Sequence, residues 1–206
     1  MSKFRLAGII AVTLTAAVPF AVNTSGAGGS NDLKASIVDA NGDRLGSAKL
    51  SFDGGTSEVK VDVTLPAALA GFHGFHIHGI GQCVAPSFAS AGGHLGEDAT
   101  TPGHRHRNHD GDLPVLLVNA DGHARARFDS DRVTFAELAD GDGSAFIIHA
   151  GPDNYANIPA IDPATGATRY ANAGGLVPPA YPNTITDDAT LRTGDAGARI
   201  ACGLIR

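Results

Sequence analysis

The segment GFHGFHIHGIGQC, Gly71 to Cys83, packs His73, His76 and His78 into six residues and ends at one of only two cysteines in the chain. Its aromatic and β-branched residues favour a strand. Side chains alternate between the faces of a strand, so His76 and His78 project to one side and Phe75, Ile77 and His73 to the other. Two imidazoles at i and i+2, carried on one face of a rigid element, are suited to gripping a metal ion. His73, of opposite parity, is expected to hydrogen-bond to backbone beneath the site. A pair of surface histidines would look the same in isolation, so the rest of the chain has to decide.

The other histidines follow in an order that extends the pattern. His94 lies in AGGHLG, and His104, His106 and His109 precede Asp112 in PGHRHRNHDGDLP. His149 lies in FIIHAG, on a separate strand. Only His123, beside the Asp121-Gly122 turn, reads as an ordinary exposed residue. A set of imidazoles alone suits copper, and imidazoles with a carboxylate suit zinc.

The elements that must hold these residues read as short strands. KASIVDANGDRLGSAKLSF, Lys34 to Phe52, is strand, Asn-Gly turn, strand, and SEVKVDVTL alternates with Val59, Val61, Val63 and Leu65 on one face. PVLLVNADGHARARF, Pro114 to Phe128, reads as a further hairpin turning at Asp121-Gly122. SAFIIHAG and RIACGLI bring the count to about eight strands, and TFAELA allows one helical turn at most. The class is all-β, a sandwich or flattened barrel. Two segments, Gln82 to Asp112 and Ala150 to Ala198, lack strand alternation and are rich in Gly, Pro, Asn and Asp. Loops of that length inside a compact domain are usually functional or disordered, and the first concentrates four of the nine histidines.

The 206 residues suffice for one domain with a proper core. Lys3 and Arg5 precede an apolar run from Leu6 to Val22 and the small-residue stretch NTSGAGGS, the pattern of a secretory signal cleaved after Ala21 or Ala27. Residues 1–27 are therefore expected to be signal and linker and residues 28–206 the functional domain, exported to a periplasmic, cell-envelope or extracellular location, with no membrane span in the mature chain. Without Lys3 and Arg5 the chain has 13 basic against 21 acidic residues, a net charge near −8. That balance argues against nucleic acid or an anionic membrane as partner. Two cysteines in an exported chain suggest one disulfide, and closing a loop of ~100 residues stabilises by roughly 4–5 kcal/mol in the chain-entropy model.

In combination, GFHGFHIHGIGQC, SAGGH, HDGDLPVLLVNADG, FIIHAG and GDAGARIACGLI resemble the copper/zinc superoxide dismutases, in particular their exported bacterial branch. The resemblance covers about Lys34 to Arg206 and implies an eight-stranded Greek-key β-barrel with two long functional loops. It implies that His76, His78, His94 and His149 hold copper, with His94 bridging to a zinc ion held also by His109, Asp112 and one more histidine. His104 is favoured for that last place, because it stands about ten residues after His94. His106 is the alternative, since the segment is shorter than the family's. Cys83 and Cys202 match the family's disulfide, Arg199 matches the arginine that attracts and positions the anion, and Asp153 resembles the carboxylate linking ligands of the two metals.

The activity implied is disproportionation of superoxide to O2 and H2O2 at copper, with His94 carrying a proton. The competing reading is a non-catalytic copper-binding domain of the same fold, for storage or delivery, which has no need of Arg199. A metal cupin would require a glutamate shortly after the HxH pair, and HGIGQC has none. Nothing in the sequence excludes a homodimer.

Overall fold

The computed structural model describes residues 32–97, 106, 108–155 and 192–206. The segment read as a signal, His104, Arg105, Arg107 and Arg169 lie outside the described residues. Among the described residues nine antiparallel strands are formed: β1 (Asp32–Asp39), β2 (Arg44–Asp53), β3 (Thr56–Thr64), β4 (Gly71–His73), β5 (Phe75–His78), β6 (Leu116–Val118), β7 (His123–Ser130), β8 (Ser144–His149) and β9 (Arg199–Ile205). A short helix α1 (Phe135–Leu138) is where TFAELA allowed one turn, started by a capping box between Thr134 and Glu137.

Seven strands form one curled sheet in the order β5-β8-β9-β1-β2-β3-β7, and β4 pairs with β6 in a two-stranded ribbon. The last strand returns to lie beside the first, a Greek-key kind of connection. The chain turns at Asn41-Gly42 and Asp121-Gly122 as expected, with φ of 86° and 87° at the two glycines. The second turn does not make a simple hairpin, because β6 pairs with β4 while β7 pairs with β3. The histidine strand is also divided. Gly74 separates β4 from β5, so the two halves serve different sheets, which accounts for nine strands where about eight were expected.

The core lies inside the curl. Val59, Val61 and Val63 of β3, Ile37 of β1 and Leu50 of β2 are buried there, and Phe75 of β5 stacks on Phe146 of β8 with ring centroids 5.1 Å apart. Each such side chain contributes about 1.5–3 kcal/mol by leaving water. The sheet is covered on both faces at β8, where all six residues are buried. Beyond the core, Ala145 and Ile147 pack with Phe88, Ala91 and Cys202 under the first long loop. A disulfide joins Cys83 of that loop to Cys202 of β9, with Cα atoms 5.7 Å apart. The outward face of β5 is therefore roofed by loop instead of being solvated, which answers why a strand there carries imidazole. No helix among the described residues is long and apolar enough to cross a membrane.

Candidate metal centre

His76 and His78 leave β5 on the side opposite Phe75 and Ile77 and are fully buried, as the parity of the segment predicts. His149 stands at the end of β8, where a register shift after Ile148 sets it opposite Arg199 of β9. Such irregularities re-aim side chains beside functional sites. The first long loop folds back against β5. Ile77 N–H donates to the Gly111 carbonyl (2.9 Å), Leu95 N–H donates to the Ile77 carbonyl (2.9 Å) and Gly111 N–H donates to the Leu95 carbonyl (3.0 Å). These bonds set His94 beside His78 and Asp112 beside His76. A Cβ on Gly111 would come within 2.1 Å of the Ile77 carbonyl oxygen, so only glycine permits this approach.

Two overlapping groups of ligand atoms result. In each, every atom is within 4.8 Å of the others: His76, His78, His94 and His149 in the first, and His76, His94, His106 and Asp112 in the second. In the first group the hydrogen bonds fix the tautomers. His78 Nδ1–H donates to the Gly92 carbonyl (2.9 Å), His149 Nδ1–H to the Gly197 carbonyl (2.9 Å) and His76 Nε2–H to the Asp153 carboxylate (2.7 Å). The opposite nitrogens, His78 Nε2, His149 Nε2 and His76 Nδ1, together with His94 Nε2, are buried and have no hydrogen-bond partner. Buried polar atoms in native proteins are almost always paired, so four convergent lone pairs fit a metal ion with nitrogen preference.

In the second group Asp112 Oδ1 is approached by His94 Nδ1 at 2.8 Å and His106 Nδ1 at 3.1 Å, and from outside the group by His109 Nδ1 at 3.4 Å. Three imidazoles around one carboxylate are the donor set a zinc ion takes. Asp153 links the groups, because its carboxylate accepts from His106 Nε2–H (2.7 Å) as well as from His76. Arg199 is held half-buried by the Phe88 and Gly92 carbonyls, at 2.7 and 2.6 Å. Gly92 thus anchors both the arginine and His78.

The family model for copper/zinc superoxide dismutase matches residues 30–178. The chain belongs to the copper/zinc superoxide dismutase family. A copper–zinc superoxide dismutase of Mycobacterium tuberculosis is 38% identical over 188 residues, covering 86% of this chain and 71% of that protein. Among solved structures, a superoxide-dismutase-like protein from Bacillus subtilis is 27% identical with a TM-score of 0.55, covering 83% of this chain and 96% of that one. The copper/zinc superoxide dismutase of Brucella abortus, 24% identical with a TM-score of 0.57, supports the fold.

Electrostatics separate the two groups of this family member. Burial pushes His76, His78 and His94 below the ordinary imidazole value, and brings His149 down to about 4. The positive Arg199 adds to the lowering at His78 and His149. At neutral pH these rings are uncharged, the form in which imidazole can take a metal. Burial acts in the same direction on His106 but is outweighed by hydrogen bonds to Asp112 and Asp153, which carry it up to about 9. Burial alone would raise Asp112, yet its imidazole partners hold it far below the carboxylate range.

Of the described residues singled out in the sequence as ligands, His76, His78, His94, His149 and Asp112 fall in these two groups, while His109 belongs to neither and lies 3.4 Å from Asp112 Oδ1. His106 stands beside Asp112, and His104 falls outside the described residues. His73 Nε2 and Nδ1 lie 2.7 Å from the carbonyls of Leu69 and His149, a structural post as its parity suggested. His123 is exposed at the turn. The sequence reading missed the carbonyl anchors at Gly92 and Gly197. It also missed a tie between the long loops, in which Arg192 donates to Glu97 (2.7 Å) and Glu97 accepts from His94 N–H (3.2 Å). Glycines shortly before a histidine or arginine, the pair in AGGH and the single Gly197 in DAGAR, were the available signal for backbone acting as an anchor.

Proposed function

We propose that the chain disproportionates superoxide to O2 and H2O2, with His76, His78, His94 and His149 holding copper and His94, His106, His109 and Asp112 holding zinc. The observation that carries this reading is the convergence of four orphaned, buried imidazole nitrogens beside one arginine. Copper, when bound, supplies a one-electron couple that alternate superoxide anions reduce and oxidise. Everything else is done by the chain. The Arg199 guanidinium attracts and orients the anion at a half-buried position where its charge is poorly screened. His94 Nε2 takes up a proton and gives it back, while its Nδ1 stays engaged with the Asp112 side. With a second proton from solvent the balance is two superoxides and two protons to one O2 and one H2O2. Asp153 orients His76 and His106 together, so that the two halves share one carboxylate.

The reading includes removal of residues 1–27, which lie outside the described residues, and work in an exported compartment, where the Cys83–Cys202 disulfide is kept oxidised. The sequence leaves a homodimer open, and sedimentation equilibrium of the mature chain decides between one copy and two. The deciding experiment measures the metal content of the purified mature chain together with its dismutase rate. Close to one copper and one zinc per chain with dismutase activity is expected. Bound copper without activity would make it a storage or delivery protein.

A further inference from the structure

We propose that Tyr155 is a positioning residue for the zinc side of the site, clamping the Asp112 loop onto Asp153 and sealing His106 from water. The proposal rests on the reading of His106 as a zinc ligand. Three contacts, made by different parts of the residue, carry it. The Tyr155 backbone N–H donates to Asp153 Oδ1 (2.6 Å), so the residue fixes the carboxylate that orients His106. Its hydroxyl accepts from Val115 N–H (2.9 Å), three residues after Asp112, tying the second long loop to the end of the first. Its ring lies nearly parallel to that of His106, with planes 15° apart and centroids separated by 6.2 Å.

The backbone and the surroundings point the same way. Tyr155 has φ of 54°, the left-handed region that a bulky aromatic residue rarely enters, and such strain persists only where its surroundings enforce it. Asp112 and Tyr155 line one cavity of about 360 Å³, together with Leu113, Pro114, Phe128 and Arg132. Tyr155 thus lines that space and its ring also neighbours the buried His106, so truncating the ring would enlarge the cavity on the side of His106. The far side is closed by Gly194, where a Cβ would come within 2.0 Å of Asp153 Oδ1 and 2.5 Å of His106 Nε2. One residue therefore provides orientation, a loop tie and a cover for the half of the site that no strand supports.

The test uses the mature chain loaded with copper and zinc, in wild type, Tyr155→Phe and Tyr155→Ala. Release of each metal is followed with a chelator selective for it. Tyr155→Ala should release zinc about 10- to 100-fold faster, the usual cost of losing an outer partner of a metal ligand. Copper release should stay close to wild type, whereas a merely structural role would loosen both metals. Tyr155→Phe keeps ring and backbone, loses only the Val115 tie, and should fall between the two. Amide exchange over residues 108–115 of the metal-free protein tests the clamp independently, and should quicken in both variants. If wild type takes up no zinc but exchange quickens, the zinc reading falls and the clamp stands. Unchanged exchange overturns the clamp, as does unchanged zinc release from a zinc-containing protein.

Discussion

The two halves of the proposed metal centre, a copper side around His76, His78 and His149 and a zinc side around His94, His106, His109 and Asp112, are built differently although they share His76, His94 and Asp153. On the copper side His76, His78 and His149 sit on strands whose opposite faces form the hydrophobic core. Their rings are uncharged at neutral pH and their free nitrogens already converge. On the zinc side His94, His106, His109 and Asp112 all come from one loop, held by a few hydrogen bonds and by a network of charges around Asp112. Sheet packing prepays the ordering cost of the first half, while the second must be ordered by loop ties or by the metal. Copper geometry should therefore tolerate loss of zinc better than zinc geometry tolerates disturbance of the loops.

The sharpest break comes from His149→Ala. Activity should fall to background while circular dichroism and the Cys83–Cys202 disulfide are unchanged, because neither the core nor the disulfide depends on that ring. Near-wild-type rates would remove His149 from the copper side. The next effect is electrostatic. Arg199→Glu should lower the rate roughly 10- to 1000-fold, the range over which a local field changes arrival of a charged substrate. Arg192→Glu should cost much less, since Arg192 is already paired with Glu97. Residues 150–198 carry five aspartates against two arginines, so attraction at Arg199 and repulsion around it partly cancel. The wild-type rate should accordingly depend only weakly on ionic strength, and a steep fall with added salt would reveal a positive funnel formed by Arg105, Arg107 or Arg169.

Strand parity makes the copper side legible in the sequence, because period two leaves no freedom: once Phe75 and Ile77 enter the core, His76 and His78 must leave it on the other face. Gly74 hid the division of that strand, since one glycine in an apolar run reads equally as part of a strand or as a break. The zinc side was legible in composition but not in detail. A loop has no period, so the spacing of His104, His106 and His109 could not say which rings turn toward Asp112. The bonds between Ile77, Leu95 and Gly111 that fold the loop onto β5 involve backbone alone and leave no side-chain signature. Tyr155 was missed for a related reason, because it is one of three widely spaced tyrosines, with Tyr170 and Tyr181, in a long Gly- and Asn-rich segment and their spacing carries no pattern.

That ambiguity gives the third prediction. His106→Ala should lower zinc affinity by about 10- to 100-fold or more while leaving copper uptake nearly intact, and His104→Ala should leave both unchanged. Metal analysis after dialysis against a weak chelator separates the outcomes. Zinc lost from His104→Ala and kept by His106→Ala would reverse the assignment.

The smallest effect should appear in the pH dependence of the metal-free protein, where the two halves have opposite signs. His149 titrates near its ordinary value of 6.5 when unfolded and near 4 when folded. Between those values the unfolded chain takes up a proton that the folded chain refuses, so stability is full above 6.5 and is lost as pH falls through about 4. A displacement of that size corresponds to roughly 3 kcal/mol. His106 is raised to about 9 by Asp112 and Asp153, so its contribution is full below 6.5 and is lost as pH rises through 9. Asp112 shares the same interaction and adds no second alkaline arm. Denaturant midpoints of the metal-free protein should peak near pH 6.5 to 7 and decline on both sides. His149→Ala should make the acid arm shallower, with His76, His78 and His94, which burial lowers in the same direction, carrying the rest, and His106→Ala should flatten the alkaline one. A wild-type curve level from pH 7 to 9 would show that His106 is not held as an imidazolium between two carboxylates.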